Sequence, residues 1–296
     1  MTDRVLEVAE TPARIHVALE SIQVEQVGRD PVRVPLEDLA VLVLSHPQVQ
    51  ISAAALQAVA MAGGAVLVCD DKHQPAGLLL PLQGHFVQAE RMARQAVAPL
   101  PLKKRLWQQV VKEKVLHQAA LLRNLNGSDE GLGILAGQVR SGDEGNLEAQ
   151  AARRYWPALF RDPGFRRNRE AKDANRFLNY GYAILRAQVA RSLCASGLHP
   201  ALGLQHHNRY SAFPLADDLM EPYRPFVDAI AVQLVDRQGG EGEMDQALRA
   251  EILGVLYARV CIGGERLRLS HAVLKSAQSL ASALTGKARK LVFPDP

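Results

Sequence analysis

The segment from His206 to Pro225, HHNRYSAFPLADDLMEPYRP, gathers several side chains that could bind a metal ion. Two adjacent histidines, His206 and His207, are followed after a short stretch by Asp218 and Glu221. Neutral imidazole binds transition metals, whereas carboxylate oxygens suit harder ions such as Mg²⁺ and Mn²⁺. Residues three apart on a helix lie on one face, so both carboxylates can point towards one ion. If these residues bind a metal, they would form a mixed site of nitrogen and oxygen ligands.

A further candidate carboxylate, Glu148, lies in the segment GNLEAQAARRYW at 145–156. Asn146 is a suitable N-cap, which would put Glu148 in the first turn of a helix. Arg153 and Arg154 follow on the same helix and open a basic stretch. A carboxylate at the edge of a basic surface is where a metal would have to hold a phosphodiester.

Each of these signals also has a purely structural explanation. Carboxylates near a helix N-terminus complement the helix dipole without binding any ion, which applies to Asp218, Glu221 and Glu148 alike. A pair of histidines with polar neighbours can simply lie on the surface beside a loop. Residue types and spacing therefore leave both interpretations open.

Charge is distributed unevenly along the second half of the chain. Residues 153–191 contain ten Arg or Lys and three acids, whereas residues 214–251 contain nine acids and three arginines. Two solvated helix faces would explain this pattern. The alternative is a phosphate-binding surface beside an acidic, cation-binding patch.

The overall composition narrows the class of protein. The chain has 296 residues, of which 48% are hydrophobic, enough for two domains. A net charge of +4 and a pI near 9.0 permit a nucleic-acid partner without requiring one. The three cysteines form no C-x-x-C pair, so we expect no disulfide framework or zinc knuckle, and a reducing cytoplasm. The N-terminus does not resemble a secretory signal, and Gly63-Gly64 divides the apolar run at 51–69, so no membrane association is expected.

The elements that must position these residues fall into two parts. Residues 1–84 contain short β-like runs, including ARIHVA, SIQVEQV, VRVP and LAVLVL, with one helix at 51–62. After a linker at 85–95, residues 96–296 show mainly helical spacing of apolar residues. GLGILAG at 131–137 echoes a dinucleotide-binding motif, but no strand precedes it, so we predict a loop. The fold class is predicted as α+β, a small β-rich domain followed by a larger all-α catalytic domain.

Four segments together resemble the CRISPR-associated integrase of spacer acquisition, protein one of the Cas series. They are NLEAQAARRYW, ANRFLNYGYAILRAQVARSL, GLHPALGLQHHNRYSAFPLADDLMEPYRPFVD and CDDKHQPAGLLLP. The form DDLMEPYRP resembles the type II branch. The resemblance implies that Glu148, His206 and Glu221 are the catalytic ligands of a divalent metal, with Asp218 as a supporting acid. The doubled histidine leaves His207 as a rival ligand.

The resemblance also implies an activity and a set of partners. The enzyme would use Mg²⁺ or Mn²⁺ to join the 3′-hydroxyl ends of captured double-stranded DNA (the prespacer) into the CRISPR repeat. The β-rich domain would serve dimerisation and partner binding. Expected partners are a second copy of the chain in a homodimer, the small ferredoxin-like Cas protein two, and in type II systems an effector nuclease. From local charge, Arg166, Arg167 and Arg169 are expected to contact the DNA backbone.

Two other functions compete with this interpretation. A metal-dependent nuclease that cuts branched or single-stranded nucleic acid without joining would use the same ligands. A basic DNA-binding scaffold without catalysis would need none of them, and the presence of all three argues against it.

Overall fold

In a computed structural model of the protein, two four-stranded sheets form the N-terminal part. The structure describes residues 4–70, 75–168, 170–206, 212–241 and 244–296. The elements of this part are β1 (Arg4–Val8), β2 (Ala13–Ala18), β3 (Ser21–Gln26), β4 (Val32–Pro35), β5 (Leu39–Leu44), β6 (Gln50–Ile51), α1 (Ala53–Met61), β7 (Ala65–Cys69) and β8 (Pro75–Leu79).

Each of the two sheets has its own strand order. One sheet has the order β1-β5-β7-β8, with β8 antiparallel and the other pairs parallel. Every residue of β5 (LAVLVL) is buried, as expected for a central strand covered on both faces. The second sheet, β4-β3-β2-β6, is built on the antiparallel pairs of β2 with β3 and β3 with β4.

The rest of the chain is mainly helical. Its elements are α2 (Gln88–Ala96), α3 (Leu100–Asn126), α4 (Leu132–Gln138), α5 (Leu147–Phe160), α6 (Asn175–Ala195), α7 (Pro214–Met220), α8 (Arg224–Gln238), α9 (Gln246–Leu253), β9 (Arg259–Ile262), β10 (Glu265–Arg268) and α10 (Leu269–Leu284). Within the described ranges, no helix is both long and apolar enough to cross a bilayer.

The predicted α+β class, with a β-rich N-terminal part and a larger helical part, is confirmed. The second part is not purely helical, because β9 and β10 form an antiparallel hairpin around Gly263 and Gly264. Both glycines have positive φ, which suits a tight hairpin turn. The loop predicted at 131–137 was wrong: most of it forms α4, whose Leu132 and Leu135 are buried.

The division into domains stays a prediction. The last strand of the N-terminal sheets ends at Leu79, and the linker predicted at 85–95 contains most of α2. One hydrophobic cluster includes Val41 and Val43 of β5 together with Phe177 and Ile184 of α6, so the first sheet packs directly on the helices.

A buried charged cluster ties β1 to the helical part. The carboxylate of Glu7 accepts hydrogen bonds from Tyr180 (2.9 Å), Ser45 (3.0 Å) and Arg249 (3.2 Å). The Glu7 and Arg249 side chains are only 7% and 4% exposed. Because α6 and α9 supply Tyr180 and Arg249, one carboxylate links three distant elements of the chain.

Candidate metal centre

Glu148 lies in the first turn of α5, where the preceding loop fixes its backbone. Asp143 accepts hydrogen bonds from the amides of Leu147 (2.9 Å) and Glu148 (3.0 Å). Asn146 occupies the N-cap position, as predicted, but its side chain makes no capping hydrogen bond. The capping side chain is Asp143, which the sequence reasoning missed because it lies three residues before the expected position.

Glu221 begins a short 3-10 turn, Glu221–Tyr223, between α7 and α8. Its Oε1 atom lies 2.9 Å from the guanidinium of Arg224, and its Oε2 atom lies 2.6 Å from the Lys114 ammonium. Burial alone would raise the pKa of Glu221, but the charges of Arg224 and Lys114 outweigh it and lower that pKa. Glu221 is therefore held ionised although it is buried.

Lys114 of α3 joins the two candidate carboxylates. Its ammonium lies 2.6 Å from Glu148 Oε1 as well as 2.6 Å from Glu221 Oε2. Burial would lower the pKa of Lys114, but the charges of Glu221 and Glu148 raise it overall. The sequence reasoning missed Lys114, because its position on a long helix with several lysines gives no signal of its buried contacts.

His206 is oriented by Asp218 of α7. The imidazole Nδ1 lies 2.5 Å from Asp218 Oδ1, and Asp218 Oδ2 accepts hydrogen bonds from the amides of Leu204 (2.6 Å) and Gln205 (3.2 Å). The hydrogen bond to Asp218 raises the pKa of His206 against the effect of burial, and the charges of Asp218, Glu221 and Glu148 add to the rise. A histidine that bonds a carboxylate through one nitrogen and keeps the other for a ligand is the usual arrangement at metal sites.

Close backbone packing shapes the loop that carries His206. A Cβ atom at Gly203 would lie 2.5 Å from the carbonyl oxygen of His206 and 3.1 Å from Asp218 Oδ2. The loop can approach α7 this closely only because residue 203 has no side chain. Trp107 of α3 also contacts His206: the two rings are nearly perpendicular, and their centroids lie 5.6 Å apart.

The donor chemistry of these residues fits a hard divalent ion. Glu148 and Glu221 offer carboxylate oxygens, and His206 offers Nε2. A cation already lies between the two carboxylates, because the Lys114 ammonium contacts both of them. In the described part of the chain, however, no three His, Cys, Asp or Glu side chains are already arranged as a metal cluster. The ligand role of Glu148, His206 and Glu221 stays a prediction, and His207 lies outside the described residues.

The arginines predicted to contact DNA differ in their exposure and in their hydrogen bonds. Arg166 is exposed and donates to the carbonyls of Pro163 (3.0 Å) and Phe165 (2.8 Å). Arg167 is half-buried and donates to two asparagine side chains of α6. Arg169 lies outside the described residues. Of these arginines, the exposed Arg166 is better placed to reach the DNA backbone. The DNA role of all three stays a prediction.

The Arg224 side chain packs against Tyr182, which belongs to a buried polar cluster with Asp228 and Tyr155. The Arg224 guanidinium lies 4.5 Å from the ring centroid of Tyr182, which donates a short hydrogen bond to Asp228. Tyr155 donates to the other oxygen of Asp228 at 2.7 Å. Burial raises the pKa of Asp228 to about 6, although the hydrogen bonds from both tyrosines oppose the rise.

Asp228→Asn is therefore expected to change how stability depends on pH. Because the pKa of Asp228 is higher in the folded chain than the ~3.9 of an unfolded aspartate, the ionised group destabilises the protein above pH 6. As pH falls from 7 to 4, the wild type should gain roughly 2–3 kcal/mol of unfolding free energy relative to Asp228→Asn. Urea unfolding at several pH values measures this difference, and parallel curves for the two proteins would contradict it.

Comparison with known proteins identifies the family. The family model described as CRISPR associated protein Cas1 matches residues 6–248. The chain belongs to the Cas1 family. The family predicted from the sequence motifs is thereby confirmed, and the match includes Glu148, His206 and Glu221 within its limits.

Curated relatives of this Cas1 chain cover nearly its full length. The CRISPR-associated endonuclease Cas1 of Neisseria meningitidis is 37% identical over 266 residues, which is 88% of this chain and 86% of that protein. A second relative, from Pyrobaculum aerophilum, is 30% identical over 94% of this chain and 98% of its own length.

Solved structures share the fold at low sequence identity. A casposase bound to an integration product superposes with a TM-score of 0.80 and 18% identity, over 98% of this chain and 92% of that chain. A Cas1 protein from Thermotoga maritima gives 0.74 and 15% over 96% and 98% of the two chains. A chain of a Cas6-RT-Cas1–Cas2 complex gives 0.75 and 19%, over 98% of this chain and 36% of its own.

Proposed function

We propose that this chain is a divalent-metal-dependent DNA endonuclease and integrase of CRISPR adaptation, which joins the 3′-hydroxyl ends of captured DNA into the CRISPR repeat. The observation that carries the proposal is that Lys114 bridges Glu148 and Glu221, while the charges of both carboxylates act on the imidazole of His206. Glu148 and Glu221 are 73 positions apart in the sequence, yet both contact the same Lys114 ammonium. The curated relatives named as Cas1 endonucleases add support.

The reaction is a transesterification. A 3′-hydroxyl oxygen attacks a phosphodiester phosphorus, one new P–O bond forms and one P–O bond breaks. The attacking hydroxyl loses its proton to solvent, and the leaving oxygen takes up one proton from solvent. Because one ester replaces another, no external energy source is required. Mg²⁺ or Mn²⁺, held by Glu148, His206 and Glu221, would lower the pKa of the attacking hydroxyl and neutralise charge that develops on the phosphate.

The protein's own residues prepare this chemistry. Glu148 and Glu221 supply carboxylate oxygens, and His206 supplies Nε2 while Asp218 holds its ring. Arg224 and Lys114 keep Glu221 ionised, so that it can act as a ligand at neutral pH. Water in place of the 3′-hydroxyl would give hydrolysis by the same residues, which is the endonuclease activity.

The proposal extends to partners and compartment. Solved structures similar in fold include a casposase bound to an integration product and chains of Cas6-RT-Cas1–Cas2 complexes. We propose that the chain binds double-stranded DNA and Cas protein two, forms a homodimer, and acts in the cytoplasm. The effector nuclease of a type II system remains a proposed additional partner.

Arg166→Ala should weaken duplex binding through the loss of one phosphate contact. The affinity of the wild type should fall steeply with salt, because each phosphate contact releases counterions. The slope of log affinity against log salt should become shallower by about 1 in the variant. Fluorescence anisotropy at several salt concentrations measures both quantities. An unchanged slope, or a wild type indifferent to salt, would count against the basic stretch as the DNA surface.

A joining assay separates the proposed function from its alternatives. Purified chain with its Cas protein two partner is mixed with a labelled duplex bearing free 3′-hydroxyl ends, a supercoiled plasmid carrying a repeat, and Mn²⁺. An integrase attaches label covalently to the plasmid. A nuclease that only cuts gives unlabelled nicked plasmid, and a scaffold leaves the plasmid intact, so either result would contradict the proposal.

A further inference from the structure

The Lys114 ammonium occupies the position between the two candidate carboxylate ligands. It lies 2.6 Å from Glu148 Oε1 and 2.6 Å from Glu221 Oε2, and its side chain is only 12% exposed. Glu221 Oε2 is itself buried, and the Lys114 ammonium is the charged group that contacts it, at a charge-assisted hydrogen-bond distance. A lysine this well enclosed is not a solvent-facing charge that happens to lie near an acid.

A divalent ion shared by the same two oxygens would need the space that this ammonium fills. Mg²⁺ binds carboxylate oxygens at about 2.0–2.1 Å, which is closer than the present nitrogen to oxygen distances. Two cations cannot both lie between the same pair of oxygens. We propose that Lys114 is an exchangeable internal cation, which competes with the divalent ion for Glu148 and Glu221 and moves away when the ion binds. This inference rests on the proposed metal site.

The neighbouring contacts allow this exchange without dismantling the site. Glu221 uses separate oxygens for its two partners: Oε1 for Arg224 at 2.9 Å and Oε2 for Lys114. Departure of the ammonium would free Glu221 Oε2 and Glu148 Oε1, while Arg224 keeps Glu221 in place. Lysine has a flexible four-carbon stem, so its ammonium can leave without movement of α3. Arg224, with a planar group fixed against Tyr182, is not suited to the same exchange.

The first test measures Mn²⁺ binding directly, without any activity. Electron paramagnetic resonance of free Mn²⁺ gives the dissociation constant of the full-length wild type and of Lys114→Met, which keeps the stem and removes the charge. We expect Lys114→Met to bind Mn²⁺ about tenfold more tightly, within the usual range of coupling between two sites. Lys275→Met, which removes a lysine from the surface pair with Glu265, should bind like the wild type. Equal or weaker binding by Lys114→Met would overturn the inference.

The same experiment separates failure of this inference from failure of the proposed function. Glu148→Gln should weaken Mn²⁺ binding if the proposed site exists. If Glu148→Gln binds as the wild type does, the site itself is wrong and the inference falls with it. If Glu148→Gln binds weakly but Lys114→Met is unchanged, the site stands and only the competition is wrong.

A second measurement uses the wild type alone, in case Lys114→Met does not fold. Lysine amines are acetylated briefly with and without Mn²⁺, and the modification of each lysine is read by mass spectrometry. Lys114 should react slowly without the ion, because its amine is buried between two carboxylates, and several-fold faster with it. Lys275 serves as the internal control and should not change. Unchanged or slower acetylation of Lys114 in Mn²⁺ would refute the exchange.

Discussion

Replacing Glu148, His206 or Glu221 by alanine is expected to abolish Mn²⁺-dependent DNA joining and leave most duplex binding intact. Loss of an ion that contributes several kcal/mol to the transition state should lower the joining rate by about 10³-fold or more. Duplex affinity should change little, because we expect exposed basic residues rather than these three to contact the phosphates. The joining rate with labelled duplex and anisotropy with the same duplex measure the two effects.

The matched control for these variants is Glu144→Ala. Glu144 precedes α5 in the same loop as Asp143, but its side chain is 73% exposed and forms a surface pair with Lys104 at 3.1 Å. This variant should join DNA like the wild type. Glu221→Gln complements Glu221→Ala, because it keeps the side-chain volume beside Lys114 and Arg224. Full joining by any two of the three ligand variants would show that the proposed site is wrong.

Of the substitutions considered for their effect on stability, Glu7→Ala is expected to lower the free energy of unfolding most. The substitution leaves the guanidinium of Arg249 buried without its carboxylate and removes the acceptor used by Tyr180 and Ser45. Removal of one partner of a buried ion pair typically costs about 3–5 kcal/mol, because the other charge stays buried and unpaired. Urea unfolding followed by circular dichroism measures the loss.

Two further variants test the cause of that loss. Glu265→Ala removes the acid of a surface pair with Lys275, where the two side chains are 62% and 35% exposed. It should cost no more than about 1 kcal/mol. Adding Arg249→Met to Glu7→Ala should recover part of the loss, because no charge is then buried alone. A loss for Glu7→Ala as small as that for Glu265→Ala would mean that the buried cluster does not stabilise the fold.

Local patterns predicted most of the elements but not those that depend on distant partners. The runs ARIHVA, SIQVEQV, VRVP and LAVLVL all form strands, because alternating or continuous apolar residues bury a face within the run itself. The hairpin Arg259–Arg268 was missed, since its strands have four residues each and carry several arginines. Helix α4 was missed because the segment before it is not a strand, which was taken to indicate a loop, whereas burial of Leu132 and Leu135 stabilises a short helix there.

In the candidate site, too, local sequence patterns indicated the residues that lie close together in the sequence but not their distant partners. His206, Asp218 and Glu221 lie within one segment, so residue type and spacing could indicate them together. Glu148 was singled out by its position at a helix start, and its ligand role came from the family resemblance. Lys114 carried no local signal, because its environment is created by Glu148 and Glu221, which follow it in the sequence by 34 and 107 residues. Tertiary packing alone decides which of several lysines on α3 is buried between carboxylates.

The most direct test of the central claim is the position of Mn²⁺ in crystals of the protein, found by anomalous diffraction at the manganese edge. The claim is that Glu148, His206 and Glu221 hold one divalent ion. It predicts an anomalous peak in direct contact with a carboxylate oxygen of Glu148, a carboxylate oxygen of Glu221 and Nε2 of His206. A peak bound only by other side chains, or none at saturating Mn²⁺, would contradict the account.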